Sequence, residues 1–161
     1  EAEILTRKAI ELNPNFADAH SNLGTILLDL RKLKEAELST RKAIELNPNF
    51  AIAHLNLGNT LKALGNLKEA ELSHRKAIEL NPNLANAYLN LGNTLQELGE
   101  IDEALLCYKV AINIDKTIKS SQEGIGRILL KKGNHSEGIL TLREAIGSIG
   151  FNSKKSSISI N

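Results

Sequence analysis

Three asparagines recur at a constant spacing and are the residues of this chain best suited to binding chemistry. Asn22, Asn56 and Asn90 follow one another at intervals of 34 residues. A carboxamide carries hydrogen-bond donors and an acceptor, so a row of asparagines can pair with the backbone of an extended peptide whatever its side chains. Asparagine is also a mediocre helix former, so helix propensity does not explain its recurrence within predicted helices. We call these three residues the asparagine ladder and predict that they bind an extended peptide.

Other side chains accompany the ladder on the same predicted helix surface. Thr25, Asn59 and Asn93 lie one helical turn after the ladder residues, and Leu55 and Leu89 immediately precede two of them. The polar side chains would extend the hydrogen-bonding row. The two leucines are predicted to be apolar patches that anchor a ligand side chain or a neighbouring helix. The alternative is an ordinary polar surface, copied with its unit by duplication, which needs no ligand.

No group of residues has the composition and spacing of a catalytic or metal-binding site. His20 and His54 lie 34 residues apart on different predicted helices, with no cysteine or carboxylate at zinc-ligand spacing. Cys107 has no base nearby in the sequence that would activate it. The segment Leu57–Leu61 has a single glycine and does not match a phosphate-binding loop. We predict no catalytic residue, metal or cofactor, and a packing role for the two histidines.

The spacing of the ladder belongs to a repeat that covers most of the chain. Asn13–Leu46 and Asn47–Leu80 are identical at 25 of 34 positions, Asn81–Ile114 follows the same pattern, and Asp115–Ser148 is a fainter copy. A fixed period of this length is typical of a stacked array of small units. Positions are numbered below within each unit, with Ala51 at position 1, so that the ladder occupies position 6.

Each unit is predicted to be a pair of helices. Leu57, Leu61 and Leu64 form one apolar stripe on the first helix of the central unit, and Gly65 ends it. A second helix follows, and Pro82 closes the unit because proline forces the preceding residue away from helical angles. Two such helices cannot bury both apolar stripes alone, so successive pairs stack around a continuous core. The first helices of the units are predicted to line one concave surface.

This period and pattern resemble the tetratricopeptide repeat (TPR) family. The matching residues of the central unit are Leu57-Gly58, Gly65, Ala70, Ala77 and Pro82. The resemblance implies an all-α, right-handed α-solenoid of helix-turn-helix repeats. The large aromatic side chains of the family are mostly absent, which predicts lighter packing. Position 4 holds His20, His54 and Tyr88, and position 24 holds Thr40, His74 and Tyr108.

The array is predicted to span residues 1–148, followed by a tail or linker at 149–161. It comprises the second helix of a truncated unit at 1–16, full units at 17–50, 51–84 and 85–118, and a degenerate unit at 119–148. The helices of the first and third full units are predicted at about Ala17–Leu30, Lys34–Leu46, Ala85–Leu98 and Ile101–Ile114.

Local departures from the repeat carry their own predictions. Arg31 takes the turn position that the next two units give to glycine, and this turn is expected to form despite the side chain. Asp115 begins a closure without proline, so the helix before it is expected to end less sharply. The fourth unit has Gly124, Gly138 and Gly147 within predicted helices, each destabilising by roughly 1 kcal/mol relative to alanine. We predict that it is the softest unit.

A closer resemblance concerns the ladder. The run Ala17–Leu23 resembles repeats of the O-linked N-acetylglucosamine transferase family, in which an asparagine ladder on the concave face holds substrate peptides. The match carries over to Asn22, Asn56 and Asn90 and fails at Gly124. The resemblance implies that the ladder ends before the fourth unit.

Recognition of a chaperone C-terminus, another binding mode of the TPR family, is not expected. Asn59 and Asn90 fit the two asparagine places of that clamp, but Leu55, Ser120 and Gly124 occupy its basic places. A terminal carboxylate would therefore lack its charge-assisted hydrogen bonds.

Charge and composition exclude several classes of partner. The formal net charge is +1 and aromatic residues make up 3% of the chain, which does not favour nucleic acid. Arg127 and Lys131 give the predicted groove only a mildly basic rim. No run approaches the roughly 20 apolar residues of a membrane span. The single cysteine fits a reducing compartment, and we predict a cytoplasmic protein.

The sequence thus predicts a non-enzymatic scaffold that binds a protein or an extended peptide, and two alternatives remain open. The chain begins in the middle of a unit and contains no methionine, so it is predicted to be a piece of a longer protein. It could then be the substrate-targeting module of a glycosyltransferase, sulfotransferase or hydroxylase whose catalytic domain lies outside this segment. Alternatively, the exposed terminal repeats could mediate self-assembly.

Overall fold

The protein was analysed as a computed structural model that describes residues 1–146, 149–152 and 157–160. The described part contains nine helices and two short strands. The helices are α1 (Ala2–Leu12), α2 (Ala17–Asp29), α3 (Leu33–Leu46), α4 (Ala51–Ala63), α5 (Leu67–Leu80), α6 (Ala85–Leu98), α7 (Ile101–Ile114), α8 (Lys119–Lys131) and α9 (His135–Ile146).

The helices pack as a stack of pairs. In each unit the first helix packs on the second, as α2 on α3, α4 on α5, α6 on α7 and α8 on α9. The second helix then packs on the first helix of the next unit, and α1 packs on α2 in the same way. The predicted all-α repeat array is confirmed. The four predicted helices that were given explicit bounds agree with the structure to within one residue.

Contacts between units show which face of the array is concave. The first helices of successive units contact one another, α2 with α4, α4 with α6 and α6 with α8. Within the described residues, second helices of successive units make no contact of comparable extent. The array therefore curves towards α2, α4, α6 and α8, which we call the inner surface.

The two helices of each regular unit cross where a glycine of the first meets the position-24 side chain of the second. A β-carbon added at Gly24, Gly58 or Gly92 would overlap Thr40, His74 or Tyr108, respectively. All three position-24 side chains are completely buried. Side chains of different size, Thr40, His74 and Tyr108, are therefore each buried directly against a glycine of the opposite helix. Lighter packing stays a prediction.

The turn between the helices of a unit requires a left-handed residue. Gly65 and Gly99 have φ angles of 84°, and Gly133 has a φ angle of 85°. Arg31 adopts a φ angle of 61° at the same place, so the turn forms as expected although its residue has a side chain. A non-glycine residue in this region crowds its own β-carbon against the following carbonyl.

The closure of each unit depends on an Asx turn more than on proline. The side-chain oxygens of Asn13, Asn47 and Asn81 each accept a hydrogen bond from the backbone N–H two residues later. At the third closure Asp115 Oδ1 accepts from both N–H and hydroxyl of Thr117, at 2.8 and 2.7 Å. α7 ends at the same unit position as α3 and α5. The expectation of a less sharply defined helix end is therefore wrong.

Glycines of the fourth unit allow close packing. A β-carbon on Gly124 would lie 2.7 Å from the ring of Tyr108, and one on Gly138 would lie 2.9 Å from Leu130. Both glycines are buried. Gly147 lies outside the described residues, and the relative softness of this unit stays a prediction.

The predicted tail contains the two strands. β1 (Ile149–Asn152) pairs antiparallel with β2 (Ser157–Ile160), and Ile149 lies opposite Ile160. The strands follow the helical array and do not alter its architecture.

We expect Arg31→Gly to raise the free energy of unfolding by about 1 kcal/mol. A left-handed conformation costs roughly 1–2 kcal/mol for a residue with a β-carbon, and the greater freedom of unfolded glycine offsets part of this gain. Guanidinium unfolding followed by circular dichroism measures the change. Gly65→Arg is the matched control and should destabilise by a similar amount. Equal effects of the two substitutions in the same direction would contradict this account of the turn.

Candidate peptide-binding surface

The inner surface carries the predicted ladder. Asn22 is exposed, and Asn56 and Asn90 are half-buried. Asn56 Nδ2 donates to Ser21 Oγ of the preceding unit at 3.0 Å, and Asn90 Nδ2 donates to Asn59 Oδ1 at 2.8 Å. The later two ladder residues therefore lie at the junctions between first helices, and none of the three is enclosed between units.

These junction bonds leave hydrogen-bonding capacity for a ligand. A carboxamide has two N–H donors and an oxygen that can accept twice, and the junction bond of Asn56 or Asn90 uses one N–H. The bond also restricts the rotamer of each side chain before a ligand arrives. Less side-chain entropy is then lost on binding, which is the usual advantage of a preorganised surface.

The asparagines one turn further along are tied to the core. Asn59 Oδ1 accepts from His74 Nε2 at 3.2 Å, and the Tyr108 hydroxyl lies within hydrogen-bonding distance of Asn93 Oδ1, at 2.9 Å. Thr25, at the corresponding place in the first full unit, instead donates to the backbone carbonyl four residues earlier. We call the side chains at positions 6 and 9 of the first helices the polar row. The position-24 side chains of the second and third units orient this row from the core side of the inner surface.

His74 is a neutral donor in this arrangement. Burial, with a smaller contribution from the Lys62 ammonium, lowers the pKa of His74 to about 4. Because Asn59 Oδ1 can only accept, the proton lies on Nε2, and Nδ1 faces Thr94 Oγ1 at 3.3 Å. At neutral pH the imidazole therefore stabilises the orientation of Asn59 without adding charge to the surface.

The two leucines predicted to anchor a ligand side chain or a neighbouring helix pack against other parts of the array. Leu55 is only 7% exposed and lies in a core cluster with Ala77 and Ala87. Leu89 is half-buried and packs against another core cluster. Ser21, which holds the same unit position, is also buried. Of the two predicted roles, anchoring a ligand is wrong for Leu55 and packing on a neighbouring helix is confirmed, because position 5 faces the adjoining unit.

The ladder ends at the fourth unit for a steric reason. Gly124 holds the position of the ladder asparagines, and the Tyr108 ring lies 2.7 Å from where its β-carbon would be. An asparagine here would overlap the ring. In the preceding unit the smaller His74 and the ladder residue Asn90 both bond to Asn59 Oδ1. The larger Tyr108 therefore leaves no room for a ladder residue at position 124.

A polar cavity of about 410 Å³ opens where the ladder ends. It is formed by α4, α6 and α8 and is lined by Lys62, Asn93, Gln96, Glu97, Arg127 and Lys131. Arg127 and Lys131, predicted as a basic rim, lie together here. Lys62, Gln96 and Glu97 were not singled out, because the sequence does not show that side chains from three units converge here.

A second surface feature escaped sequence analysis altogether. Position 22 holds an aliphatic side chain in every unit, and all five side chains are more than half exposed. They are Ile4 at 72%, Leu38 at 70%, Leu72 at 67%, Leu106 at 61% and Leu140 at 57%. Their constant spacing was the available signal, but position 22 lies outside the stripes that build the core. We call these residues the position-22 series.

Grooves accompany this series at the unit junctions. Leu72 borders a groove of about 470 Å³ that reaches His54 and Leu57, and Leu106 borders one of about 360 Å³ that reaches Tyr88 and Leu91. His54 Nε2 also lies 2.9 Å from the backbone oxygen of Pro48, which fits its predicted structural role.

The described residues offer little for other chemistry. They contain no cluster of three or more metal-ligating side chains, and none of their helices is long and apolar enough to cross a membrane. Burial, together with nearby Glu103, raises the pKa of the buried Cys107 thiol to about 11. A thiol in that state is a poor nucleophile at neutral pH.

Comparison with known sequences identifies the repeat. Two family models, each described as Tetratricopeptide repeat, match residues 17–50 and residues 49–117. Together they cover residues 17–117, more than half of the 161-residue chain. A comparison with curated protein sequences gives no match.

Solved structures share the fold. A crystal structure of MamA has 26% sequence identity and a TM-score of 0.77, and the match covers 87% of this chain and 82% of that one. MamA 41-end from Desulfovibrio magneticus RS-1 has 17% identity and a TM-score of 0.77, over 89% of this chain and 81% of that one. TTC0263, described as a thermophilic TPR protein in Thermus thermophilus, has 22% identity and a TM-score of 0.79, over 89% of this chain and 79% of that one. The latter two similarities concern the fold alone.

Extending the ladder by one residue should destabilise the array. We expect Gly124→Asn to lower the free energy of unfolding by about 1–3 kcal/mol, because the new side chain overlaps Tyr108. Tyr108→His recreates the pair found one unit earlier and should relieve that overlap. Denaturant unfolding of the four proteins in this double-mutant cycle gives the coupling energy. Additive effects of the two substitutions would show that Tyr108 does not limit the ladder.

Proposed function

The chain belongs to the tetratricopeptide repeat family, and we propose that it is a docking scaffold that binds an extended segment of a partner protein along its inner surface. TPR arrays generally mediate protein–protein interactions. The observation that carries the finer proposal is the row of amides that continues from the exposed Asn22. Its later members, Asn56, Asn59, Asn90 and Asn93, are half-buried and preorganised by bonds to neighbouring units and to the core.

Backbone pairing suits this row better than side-chain recognition. Asn56 and Asn90 occupy equivalent places one unit apart, and each retains one N–H and its oxygen for a ligand. An extended peptide presents N–H and C=O groups at regular intervals whatever its sequence. The corrected position of Leu55 removes one proposed apolar anchor, so we assign the main role to hydrogen bonding. The similarity to O-linked N-acetylglucosamine transferase arrays supports the same mode by analogy.

We propose this role without catalysis in the chain itself. Its candidate nucleophile, Cys107, is buried with a raised pKa, and the buried His74 is already bonded to Asn59. The alternative is that this array is the targeting module of a larger enzyme with a fused catalytic domain. The full-length reading frame will show whether such a domain is present. A cytoplasmic location likewise stays a prediction.

Self-assembly is a second candidate function, favoured by the position-22 series. The exposed aliphatic side chains and the grooves beside them share one spacing, that of the unit itself. A second copy of the chain has the same spacing, so its leucines can enter several grooves at once. The exposed Leu5 and Leu12 of α1 add apolar surface at one end. Contiguous exposed apolar surface of this kind commonly marks an interaction site.

We expect Asn56→Ala combined with Asn90→Ala to weaken peptide binding about tenfold, because each substitution removes hydrogen bonds worth about 0.5–1.5 kcal/mol. The free energy of unfolding should also fall modestly, by about 1–2 kcal/mol, because the bonds to the buried Ser21 hydroxyl and to Asn59 are lost. An array of arbitrary peptides identifies binders, and fluorescence anisotropy then measures their affinities for both proteins.

The control is Asn49→Ala combined with Asn83→Ala, which removes two exposed amides from the turns between units. This variant should bind like the unaltered protein. Full affinity of the Asn56/Asn90 variant would overturn the ladder mechanism. Equal losses in both variants would mean that the effect is not specific to the inner surface.

For self-assembly, we expect Leu72→Lys combined with Leu106→Lys to reduce association, because charged side chains would face apolar grooves. Sedimentation velocity over a concentration series measures the association of each protein. Leu30→Lys with Ile52→Lys is the matched control, since these side chains are 53% and 41% exposed but lie outside the series. A strictly monomeric unaltered protein at the highest concentration would rule out this function.

A further inference from the structure

The cavity between α4, α6 and α8 has an excess of positive charge. Its lining includes Lys62, Arg127 and Lys131 but a single carboxylate, Glu97. Glu97 Oε1 pairs with Lys62 Nζ at 2.6 Å. On the α8 side, Arg127 makes one long ion pair of 3.4 Å with Glu123, which lies outside the cavity, and its Nε also donates to the Glu123 backbone oxygen at 3.3 Å. Lys131 has no ion pair among the described residues. Two cations therefore face the cavity without a carboxylate inside it to neutralise them.

Two amides complete the cavity and are oriented by one buried hydroxyl. The Tyr108 oxygen lies 2.9 Å from Asn93 Oδ1 and 2.8 Å from Gln96 Oε1. One hydroxyl has one proton, so it donates to one of these amides, and the other must turn its N–H towards the hydroxyl oxygen. Burial raises the pKa of Tyr108 to about 12, so this proton is retained at neutral pH. Three of the four amide N–H groups then remain for a ligand in the cavity.

We propose that this cavity binds a carboxylate side chain, Asp or Glu, of the extended peptide that lies along the ladder; the inference rests on the proposed function. The carboxylate would accept charge-assisted hydrogen bonds from Arg127 and Lys131 and further bonds from the amides of Asn93 and Gln96. The Lys62–Glu97 pair forms the opposite wall. It excludes a second anion there and fixes the ligand carboxylate on the α8 side.

The location of the cavity favours a peptide over other anionic ligands. Asn93 belongs to both the polar row and the cavity lining, so a peptide bound along the row places side chains at the cavity mouth. A nucleic acid would need a basic track with aromatic platforms. The inner surface of the preceding units instead presents the amides of Asn22, Asn56 and Asn59. These unit positions also differ from the basic places of the chaperone-tail clamp, which this chain lacks.

The test compares two labelled peptides, one of six serine-glutamate repeats and one of six serine-glutamine repeats. They have the same length and nearly the same size, so a difference in affinity reports carboxylate recognition. By fluorescence anisotropy at low salt, we expect the glutamate peptide to bind about tenfold more tightly, as two partly exposed ion pairs with amide support would give. The preference should shrink at high salt, because exposed charges are then screened.

Arg127→Gln combined with Lys131→Gln should abolish this preference and leave the binding of the glutamine peptide unchanged. The control, Lys109→Gln with Lys116→Gln, removes the same charge from exposed residues outside the cavity and should retain the preference. A competition arm with inorganic phosphate separates a peptide carboxylate from a free anion.

Each contrary outcome has a distinct meaning. A preference that survives in the Arg127/Lys131 variant overturns the site. Binding of phosphate without any preference between the peptides overturns the ligand class. Equal binding of both peptides, lost in the Asn56/Asn90 variant, overturns the carboxylate site while the ladder function stands. If neither peptide binds, the inference is overturned, and the peptide array decides the scaffold function separately.

Discussion

The crossing of the two helices within each unit is the contact on which the rest of the structure depends. A glycine backbone at position 8 lies directly against the position-24 side chain, in pairs formed by Gly24 with Thr40, Gly58 with His74 and Gly92 with Tyr108. Any β-carbon at position 8 would force the helices apart. Because each unit packs on the next, such a shift would be transmitted to the spacing of the first helices. The alignment of equivalent residues along the inner surface therefore follows from an interaction inside each unit.

The same position-24 side chains connect this core to the candidate site. His74 reaches through the unit to bond Asn59, and Tyr108 reaches Asn93. The shorter Thr40 instead donates to the backbone oxygen of its own helix at 2.6 Å, and Thr25 above it lacks such support. The polar row is therefore hydrogen-bonded to a position-24 side chain in the second and third units, where that side chain is large, but not in the first. A neutral, dry imidazole and a protonated phenol are suited to this role, because neither needs a counter-ion.

The sequence was sufficient to predict the array and the helix bounds, because these follow from a period and from local helix-breaking residues. The sequence was insufficient to predict which side chains meet at the junctions between units, because this depends on how successive units are oriented relative to one another. Leu55 lies at a junction rather than on the open surface, and the cavity joins Lys62 to Lys131 across three helices from three units. It also misjudged Asp115, whose carboxylate performs the turn chemistry expected of an asparagine followed by proline. The periodic position-22 series was visible in the sequence but became meaningful only once its exposure was known.

A surface made of identical units cannot by itself fix the register of an extended peptide, since a shift by one unit restores the same contacts. The difference in the fourth unit removes this degeneracy. Tyr108 requires glycine at position 124, so the amide row stops there, and the same phenol orients Asn93 and Gln96 at the start of the charged cavity. In the proposed mode, the change at position 24 from His74 to Tyr108 therefore ends backbone pairing by the amides and introduces carboxylate binding in the cavity. In the proposed mode, backbone pairing along the amides supplies affinity that is independent of sequence, and the cavity supplies the single point that orients and registers the ligand.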